Sequence, residues 1–346
     1  MKERETMIYE KMEDGKVRCG VCPRKCVIDK GKRGFCNVRE NRDGELLSLV
    51  YGKVVSSNVD PIEKKPLFHF APGTKALSIA TVGCNMKCDF CQNFRISQEW
   101  ENVTGKSLSP EDVINEAKRY RCQGIAYTYT EPTVFLEYSH DVMMEAVPEF
   151  YNVFVSNGYM TEETVERIAP RLDAINVDLK GGSEFYREHC GVPDPEPIFE
   201  ALKKLSEYDL LVEVTNLIIP DANDSEEKIR ERVRWLKENL GRDTPIHFSR
   251  FRPAYNLTDR KPTPVSTLEK AVEIAKEEGL YHVYCGNVPG HKSESTYCPK
   301  CGNLLIKRKG FSVEEFKLAR DMRCYNCGED INIEGKNWIP EKLFKD

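Results

Sequence analysis

The sequence predicts an α/β protein: a partial parallel barrel of six βα units plus an extra strand, with a small cysteine-rich module at each end. Three observations lead there. Apolar runs alternate with amphipathic stretches from residue 77 to residue 285. The amphipathic stretches carry helix punctuation. Eleven of the fourteen cysteines fall into three groups.

Strands are expected at residues 77–83, 124–130, 151–156, 173–179, 210–219, 245–251 and 281–285. Between them, Ser109-Pro110-Glu111-Asp112 places an N-cap and then a proline at the first helical position. Asp224-Ser225-Glu226-Glu227 opens a long helix that Gly241 ends, and Ser266 with Glu269 reads as a capping box whose helix Gly279 closes. Repeated βα units require a parallel sheet, because each strand returns by a crossover. Seven strands fall short of an eight-stranded barrel, so the barrel is expected to be open. The expected division is residues 1–50 for the N-terminal cysteine-rich module, 51–290 for the core and 291–346 for the C-terminal module.

The chain has 346 residues, 31% charged and 40% hydrophobic, as expected of a globular protein with room for one large domain and small appendages. A net charge of −5 implies no bulk attraction to nucleic acid or to an anionic membrane surface. The charged start, Met1-Lys2-Glu3-Arg4, lacks the apolar centre of a signal peptide, and no apolar run approaches the ~20 residues of a membrane helix. A cytoplasmic location is expected. In a reducing compartment, fourteen cysteines argue for metal ligation rather than disulfides. Cys122, Cys190 and Cys285 stand outside the groups and are read as small buried apolar residues.

The central group is Gly83-Cys84-Asn85-Met86-Lys87-Cys88-Asp89-Phe90-Cys91, directly after the first apolar run. Three thiolates can hold a cubane cluster and leave one iron open for chemistry. Zinc prefers four protein ligands, typically two Cys-x2-Cys pairs, and this offset suits it poorly. The loop resembles the signature of radical S-adenosylmethionine (SAM) enzymes, down to Phe90 before the last cysteine. The resemblance implies a [4Fe-4S] cluster on Cys84, Cys88 and Cys91, with SAM on the open iron. It also implies cleavage of SAM to methionine and a 5′-deoxyadenosyl radical, and a reducing donor such as flavodoxin or ferredoxin. The family's fold is a partial barrel, in agreement with the strand count.

In parallel barrels the working residues lie at strand C-termini. SAM there needs an acceptor for its ammonium, polar groups for its ribose and a cation near its carboxylate. Glu131 is the ammonium candidate. Its place resembles that of the family's Gly-Gly-Glu motif, although this chain reads Tyr129-Thr130-Glu131-Pro132; otherwise it is an exposed turn carboxylate. Ser156 and Asn157 are candidates for the ribose, or form a strand-end turn. Asp178 and Lys180 are candidates for the SAM carboxylate, a cation or a partner chain, or form an ordinary ion pair. Thr215 is a further candidate contact. His247 and Ser249 should share one strand face and meet the adenosyl moiety. Arg250 and Arg252 should share the other, with Arg252 nearest the strand end to grip a carboxylate.

At the C-terminus, Cys298-Pro299-Lys300-Cys301-Gly302 and Cys324-Tyr325-Asn326-Cys327-Gly328 are matched knuckles, close to the spacing of a zinc ribbon, with rubredoxin-like iron as the alternative. A structural staple is one role; a lid or docking module beside the barrel mouth is the other. At the N-terminus, Cys19, Cys22, Cys26 and Cys36 form one site for zinc or an auxiliary iron–sulfur cluster, and spacing does not decide between them. Residues 16–42 hold nine Lys/Arg against two Asp/Glu, which either balances metal thiolates or docks an acidic electron donor.

Across the chain, these motifs together with Ala126-Tyr127-Thr128-Tyr129-Thr130-Glu131-Pro132, Asn176-Val177-Asp178-Leu179-Lys180 and Cys285-Gly286-Asn287 resemble the radical SAM component of the AmmeMemoRadiSam system. That family is similar to pyruvate formate-lyase activating enzymes. The resemblance implies a radical SAM oxidoreductase abstracting hydrogen from a protein or small-molecule substrate, and it names no substrate. The alternatives are a glycyl-radical-enzyme activase, a non-catalytic iron–sulfur electron-transfer protein, and a zinc-ribbon nucleic-acid binder that the acidic charge disfavours.

Overall fold

All seven expected strands form one parallel sheet. The structure, a computed structural model, describes residues 3–344, so the first two and last two residues of the chain lie outside it. The sheet has eight strands: β1 (Ser56–Pro61), β2 (Lys75–Ala80), β3 (Gly124–Tyr127), β4 (Tyr151–Ser156), β5 (Ala174–Asp178), β6 (Leu211–Ile218), β7 (Ile246–Arg250) and β8 (Val283–Gly286). They lie in chain order across the sheet. Pairs β2 to β8 are parallel, and β1 joins β2 antiparallel. Among the described residues no ladder joins β1 to β8, so the barrel stays open. Strand β1 is the one that the sequence analysis missed. Its sequence, Ser-Ser-Asn-Val-Asp-Pro, is polar and ends in proline, and an edge strand tolerates both.

The helices are α1 (Pro110–Arg119), α2 (Leu136–Ala146), α3 (Glu162–Ile168), α4 (Ser183–Cys190), α5 (Glu196–Leu205), α6 (Glu226–Leu240) and α7 (Val265–Glu277). Ser109 caps α1 in a full capping box with Asp112. Ser225 caps α6 and Gly241 ends it. The expected box at Ser266 and Glu269 is absent. Pro264 is the N-cap of α7 and makes no side-chain cap, so Ser266 falls inside the first turn.

The two faces of the sheet differ in chemistry. Ile79, Ile125, Phe154, Ile175, Val214 and Phe248 face the helices in the main apolar core. The opposite face is apolar only at its lower end, where Ala76, Ala126, Val153, Ala174 and Leu211 meet Phe70 and Ala71. Above this layer it is lined by polar side chains.

The C-terminal module closes the lower end. Its sheet (Thr296–Tyr297, Leu304–Lys309 and Ser312–Phe316) has an apolar cluster of its own. Trp338 packs edge-on to Tyr151, the first residue of β4, and Glu334 pairs through its backbone with His69 and Ala71. The module therefore sits at the strand N-termini and is not a lid beside the mouth. A buried chain of hydrogen bonds holds it. Arg308 donates to the Phe68 carbonyl (2.7 Å) and to Thr296 Oγ1 (2.8 Å). Thr296 meets Tyr284 Oη (2.9 Å), which meets His69 Nε2 (2.6 Å). The His69 N–H donates to Glu213 Oε1 (2.7 Å), and Glu213 Oε2 meets His247 Nε2 (2.6 Å).

Burial holds His282 down to about 4, and burial, with His282 alongside, holds His69 well below the usual imidazole range. Both are neutral in the fold. Below pH ~6.5 the unfolded chain protonates them and the folded chain does not, so stability falls as pH drops from ~6.5 toward 4. The urea midpoint should fall between pH 7.5 and pH 5 by the equivalent of roughly 1–2 kcal/mol per imidazole. His282→Asn should flatten part of that slope; an unchanged slope would refute the assignment.

Candidate active site

Strand β2 delivers the three-cysteine loop to the C-terminal end of the barrel. Gly83 opens the loop with φ +103°, and a Cβ there would lie 2.6 Å from Val38 Cγ1 and 3.2 Å from the Cys36 carbonyl oxygen. Only glycine permits both the dihedral and the approach. The Gly83 N–H donates to the Ile96 carbonyl (2.9 Å) on the helical turn Phe94–Ser97. On the other side, Lys87 N–H bonds the Cys190 carbonyl (2.9 Å) and Asp89 N–H the His189 carbonyl (3.0 Å) at the end of α4. His189 Nδ1 also meets Asp89 Oδ2 at 2.8 Å.

Cys84, Cys88 and Cys91 are partly buried free thiols. The Met86 N–H (3.4 Å) and Asn157 Nδ2 (3.7 Å) point at Cys84 Sγ, and Ser97 Oγ lies 3.2 Å from Cys91 Sγ. Burial raises the Cys84 and Cys91 thiols; Cys88 is raised by a hydrogen bond with Cys190 and then by burial. Without a cation all three stay protonated, and a metal centre is what turns them into thiolates. Cys190 is fully buried, as expected of an isolated cysteine, but its thiol touches Cys88, which no spacing in the sequence signals.

Glu131, Ser156 and Asn157 come together beside this loop. Glu131 is 1% exposed, so it is no surface turn carboxylate. Its Oε1 accepts from Thr133 N–H (3.0 Å), Thr133 Oγ1 (2.6 Å) and Ser156 Oγ (2.8 Å), and its Oε2 from the Asn157 N–H (2.8 Å). Burial raises its pKa and these donors oppose the shift. Asn157 Nδ2 continues to Asn85 Oδ1 (2.8 Å), and Asn85 Nδ2 to the Tyr159 carbonyl (2.7 Å). Asn85 thus locks the loop onto the end of β4, a role that pattern reading does not reveal.

Lys180 is buried and pairs with Asp178 at 2.6 Å. Burial favours its neutral form, but the Asp178 carboxylate opposes that, and its pKa is held well above the usual lysine value. A cation therefore stands next to the cysteine loop. Thr215 lies level with Asp178 in the register, and its Oγ1 is buried without a partner among the described residues, as is Asn176 Oδ1 two residues before Asp178. Buried polar atoms left unpaired mark a place for water or ligand.

The three remaining candidates do not join this group. His247 is bound to Glu213 and stacked on Tyr284 (centroids 5.1 Å apart), within the network that anchors the C-terminal module. Ser249 lies against β8, where a Cβ on Gly286 would come within 2.4 Å of its Oγ. Strand β7 ends at Arg250, whose Nε bonds the Thr263 carbonyl (2.7 Å), so Arg252 lies beyond the strand and is exposed. A second buried cluster escaped sequence reading. Lys65 Nζ pairs with Asp60 (2.6 Å), Tyr129 Oη also donates to Asp60, and the Tyr129 carbonyl accepts from Asn93 Nδ2 (2.7 Å). Tyr129 reaches this position with φ 65°, which nothing in its residue type announces.

The N-terminal module packs beside the mouth, against the cysteine loop and the start of α3. Arg24 donates to the Asn85 carbonyl (2.6 Å) and the Gly191 carbonyl (2.6 Å), and Thr164 Oγ1 donates to the Val21 carbonyl (2.8 Å). At the far end of the molecule, Cys298, Cys301, Cys324 and Cys327 converge with all sulfurs within 4.8 Å of one another.

The model of the Radical SAM superfamily matches residues 78–236, the segment from β2 into α6. The uncharacterized protein MJ0808 of Methanocaldococcus jannaschii is 48% identical over 333 residues, 95% of this chain and 99% of that protein. The chain belongs to the radical SAM superfamily. It is also 24% identical over 208 residues, 58% of this chain and 76% of the relative, to the putative glycyl-radical enzyme activating enzyme MJ1632 of the same organism. A solved domain of pyruvate-formate lyase-activating enzyme from Bacteroides vulgatus covers 47% of this chain and 99% of its own, with a TM-score of 0.42 and 17% identity. Radical SAM proteins carry a [4Fe-4S] cluster and SAM, and the residues present fit both. Three thiols with polar donors around them stand at the strand ends, beside a buried carboxylate, a buried lysine and an unpartnered hydroxyl.

Two substitutions check this geometry. Gly83→Ala should displace the loop and lower iron bound after reconstitution at least several-fold, read by iron assay and absorbance near 410 nm. Cys190→Ala should leave iron content unchanged; loss of iron would make Cys190 a ligand.

Proposed function

We propose that this radical SAM protein is an oxidoreductase that cleaves SAM reductively and abstracts hydrogen from a protein or small-molecule substrate. The observation that carries the reading is the meeting of the three thiols with Glu131, Asn157 and Lys180 at the C-terminal mouth of an open parallel barrel. Cys84, Cys88 and Cys91 would hold the cluster. Once bound, cluster and SAM supply a one-electron reduction that releases methionine and a 5′-deoxyadenosyl radical.

The chain's own residues bind and orient. Glu131 Oε2 accepts one hydrogen bond and has capacity for another, which suits the SAM ammonium. Lys180, held protonated, suits its carboxylate. Thr215 Oγ1 and Asn176 Oδ1, unpaired on the inner face, suit ribose or substrate hydroxyls. His247 drops out of this reading, since Glu213 occupies it, while Ser249, near the end of β7 beside Gly286, stays a candidate for the adenosyl moiety.

An activating-enzyme role, with a polypeptide loop entering the open side of the barrel, is supported by the similarity to MJ1632. Assignment to the AmmeMemoRadiSam system rests on the sequence motifs. The donor would be a reduced flavodoxin or ferredoxin. Fourteen free cysteines agree with a cytoplasmic location, and among the described residues no helix is long and apolar enough to cross a membrane.

We assign the C-terminal quartet to zinc. Four thiolates at about 2.3 Å from a tetrahedral zinc stand roughly 3.8 Å apart. Here Cys298 and Cys327 Sγ are 3.5 Å apart, and Cys301 and Cys324 Sγ 3.7 Å. Purified protein should carry zinc there, and Cys324→Ser should remove it and lower Tm by several degrees.

The deciding experiment is anaerobic reconstitution with iron and sulfide, reduction with dithionite, addition of SAM and quantification of 5′-deoxyadenosine. Wild type should produce it, and a C84A/C88A/C91A variant should not. A fully loaded wild type that cleaves no SAM refutes the reading.

A further inference from the structure

The N-terminal quartet takes no part in the proposed reaction, yet its geometry is distinctive. Cys19, Cys22, Cys26 and Cys36 line a single pocket, but their sulfurs do not close on one point. Zinc bound by four thiolates draws its sulfurs together, because they close on the ion itself. The C-terminal quartet shows that arrangement. Among the described residues, it is the one group of three or more metal-ligating side chains whose donor atoms all lie within 4.8 Å of one another. No three of the N-terminal sulfurs meet that limit, and neither do Cys84, Cys88 and Cys91. In a cubane each thiolate ends on a different iron at a different corner, so the sulfurs stand apart by the width of the core. The N-terminal quartet shares its wide spacing with the catalytic trio and not with the zinc-like knuckles.

The pocket also suits a cluster in its walls. Val21, Ile28 and Val134 make it apolar, and Arg24 and Arg39 complete its lining with their guanidinium groups bound to the Asn85 and Gly191 carbonyls and to Glu137. Asn85 from the catalytic loop forms part of its lining. The two centres are close neighbours: the Cys36 carbonyl abuts Gly83, next to Cys84, and Arg24 donates to the Asn85 carbonyl at 2.6 Å.

We propose that Cys19, Cys22, Cys26 and Cys36 hold a second [4Fe-4S] cluster, not zinc, packed against the catalytic loop. Four protein thiolates complete its shell, so it has no iron open to SAM, and its chemistry is the exchange of single electrons. The spacing argument takes the catalytic trio as its ruler and so rests on the proposed function.

Metal content separates the two. The C84A/C88A/C91A variant, reconstituted anaerobically, should retain about four iron and about four sulfide per chain. On dithionite reduction it should give an iron–sulfur electron paramagnetic resonance signal that SAM does not alter. Adding C19A and C22A to that variant should abolish both. A triple variant with no iron and about two zinc per chain would overturn the proposal. Should the variants fail to fold, wild type decides: about eight iron and one zinc support it, about four iron and two zinc defeat it. A wild type inert toward SAM beside a triple variant that keeps its four iron would defeat the catalytic reading and leave the second cluster standing.

Discussion

The buried carboxylate of Glu131 joins the parts of this molecule that have to meet. It follows β3, caps the turn Pro132–Phe135, and takes hydrogen bonds from Ser156, the last residue of β4, and from Asn157 just beyond it. Through Asn157 the linkage reaches Asn85 and Cys84. An ionised group removed from water is costly unless its oxygens are satisfied, and a hydrogen bond to a charged group contributes about 1.5–3 kcal/mol. Four donors meet that cost, and in doing so they fix two strand ends and the cysteine loop in one arrangement. The residue proposed for the SAM ammonium is thus also the residue that ties these segments together.

The barrel's inner face explains how the two ends of the molecule divide their work. Open barrels expose their lumen, and this one is filled at its lower end by a layer of small apolar residues and by the C-terminal module. The buried sequence Arg308, Thr296, Tyr284, His69, Glu213, His247 is hydrogen-bonded at each link, and it holds the module against the sheet. Higher up, Thr215 and Asn176 have unpaired atoms. A plugged floor and an unsatisfied upper lumen direct any ligand to the mouth, where the N-terminal module and the cysteine loop stand.

Three groups of cysteines therefore have three settings on one chain. The C-terminal four close to near-contact and staple a module with a small core. The N-terminal four spread around a pocket within a module that shares the main core through Val17, Val38 and Leu46. The central three ride on a loop between the end of α4 and a single helical turn. Thiol chemistry is the same in each; the backbone that spaces the sulfurs sets what they can hold.

Much of this was legible without coordinates. The seven parallel strands follow from apolar runs separated by capped helices, and Ser109 and Gly241 act where their residue types predict. The cysteine loop could be read because its ligands are close in sequence. What eluded reading was everything set by contacts between distant segments. Strand β1 is too polar to announce itself and exists by pairing with β2. Ser266 looks like a cap, but the helix begins one residue earlier at Val265. His247 has the strand face expected of a ligand contact, yet Glu213, 34 residues away, takes its nitrogen. The sequence by itself determined the fold class, the superfamily and the grouping of the C-terminal cysteines, since those are carried by local periodicity and short spacings. Tertiary structure alone decided that the C-terminal module lies at the floor and the N-terminal one at the mouth, and how far apart each set of sulfurs stands. Those outcomes depend on burial and hydrogen bonding between segments that the chain order leaves far apart.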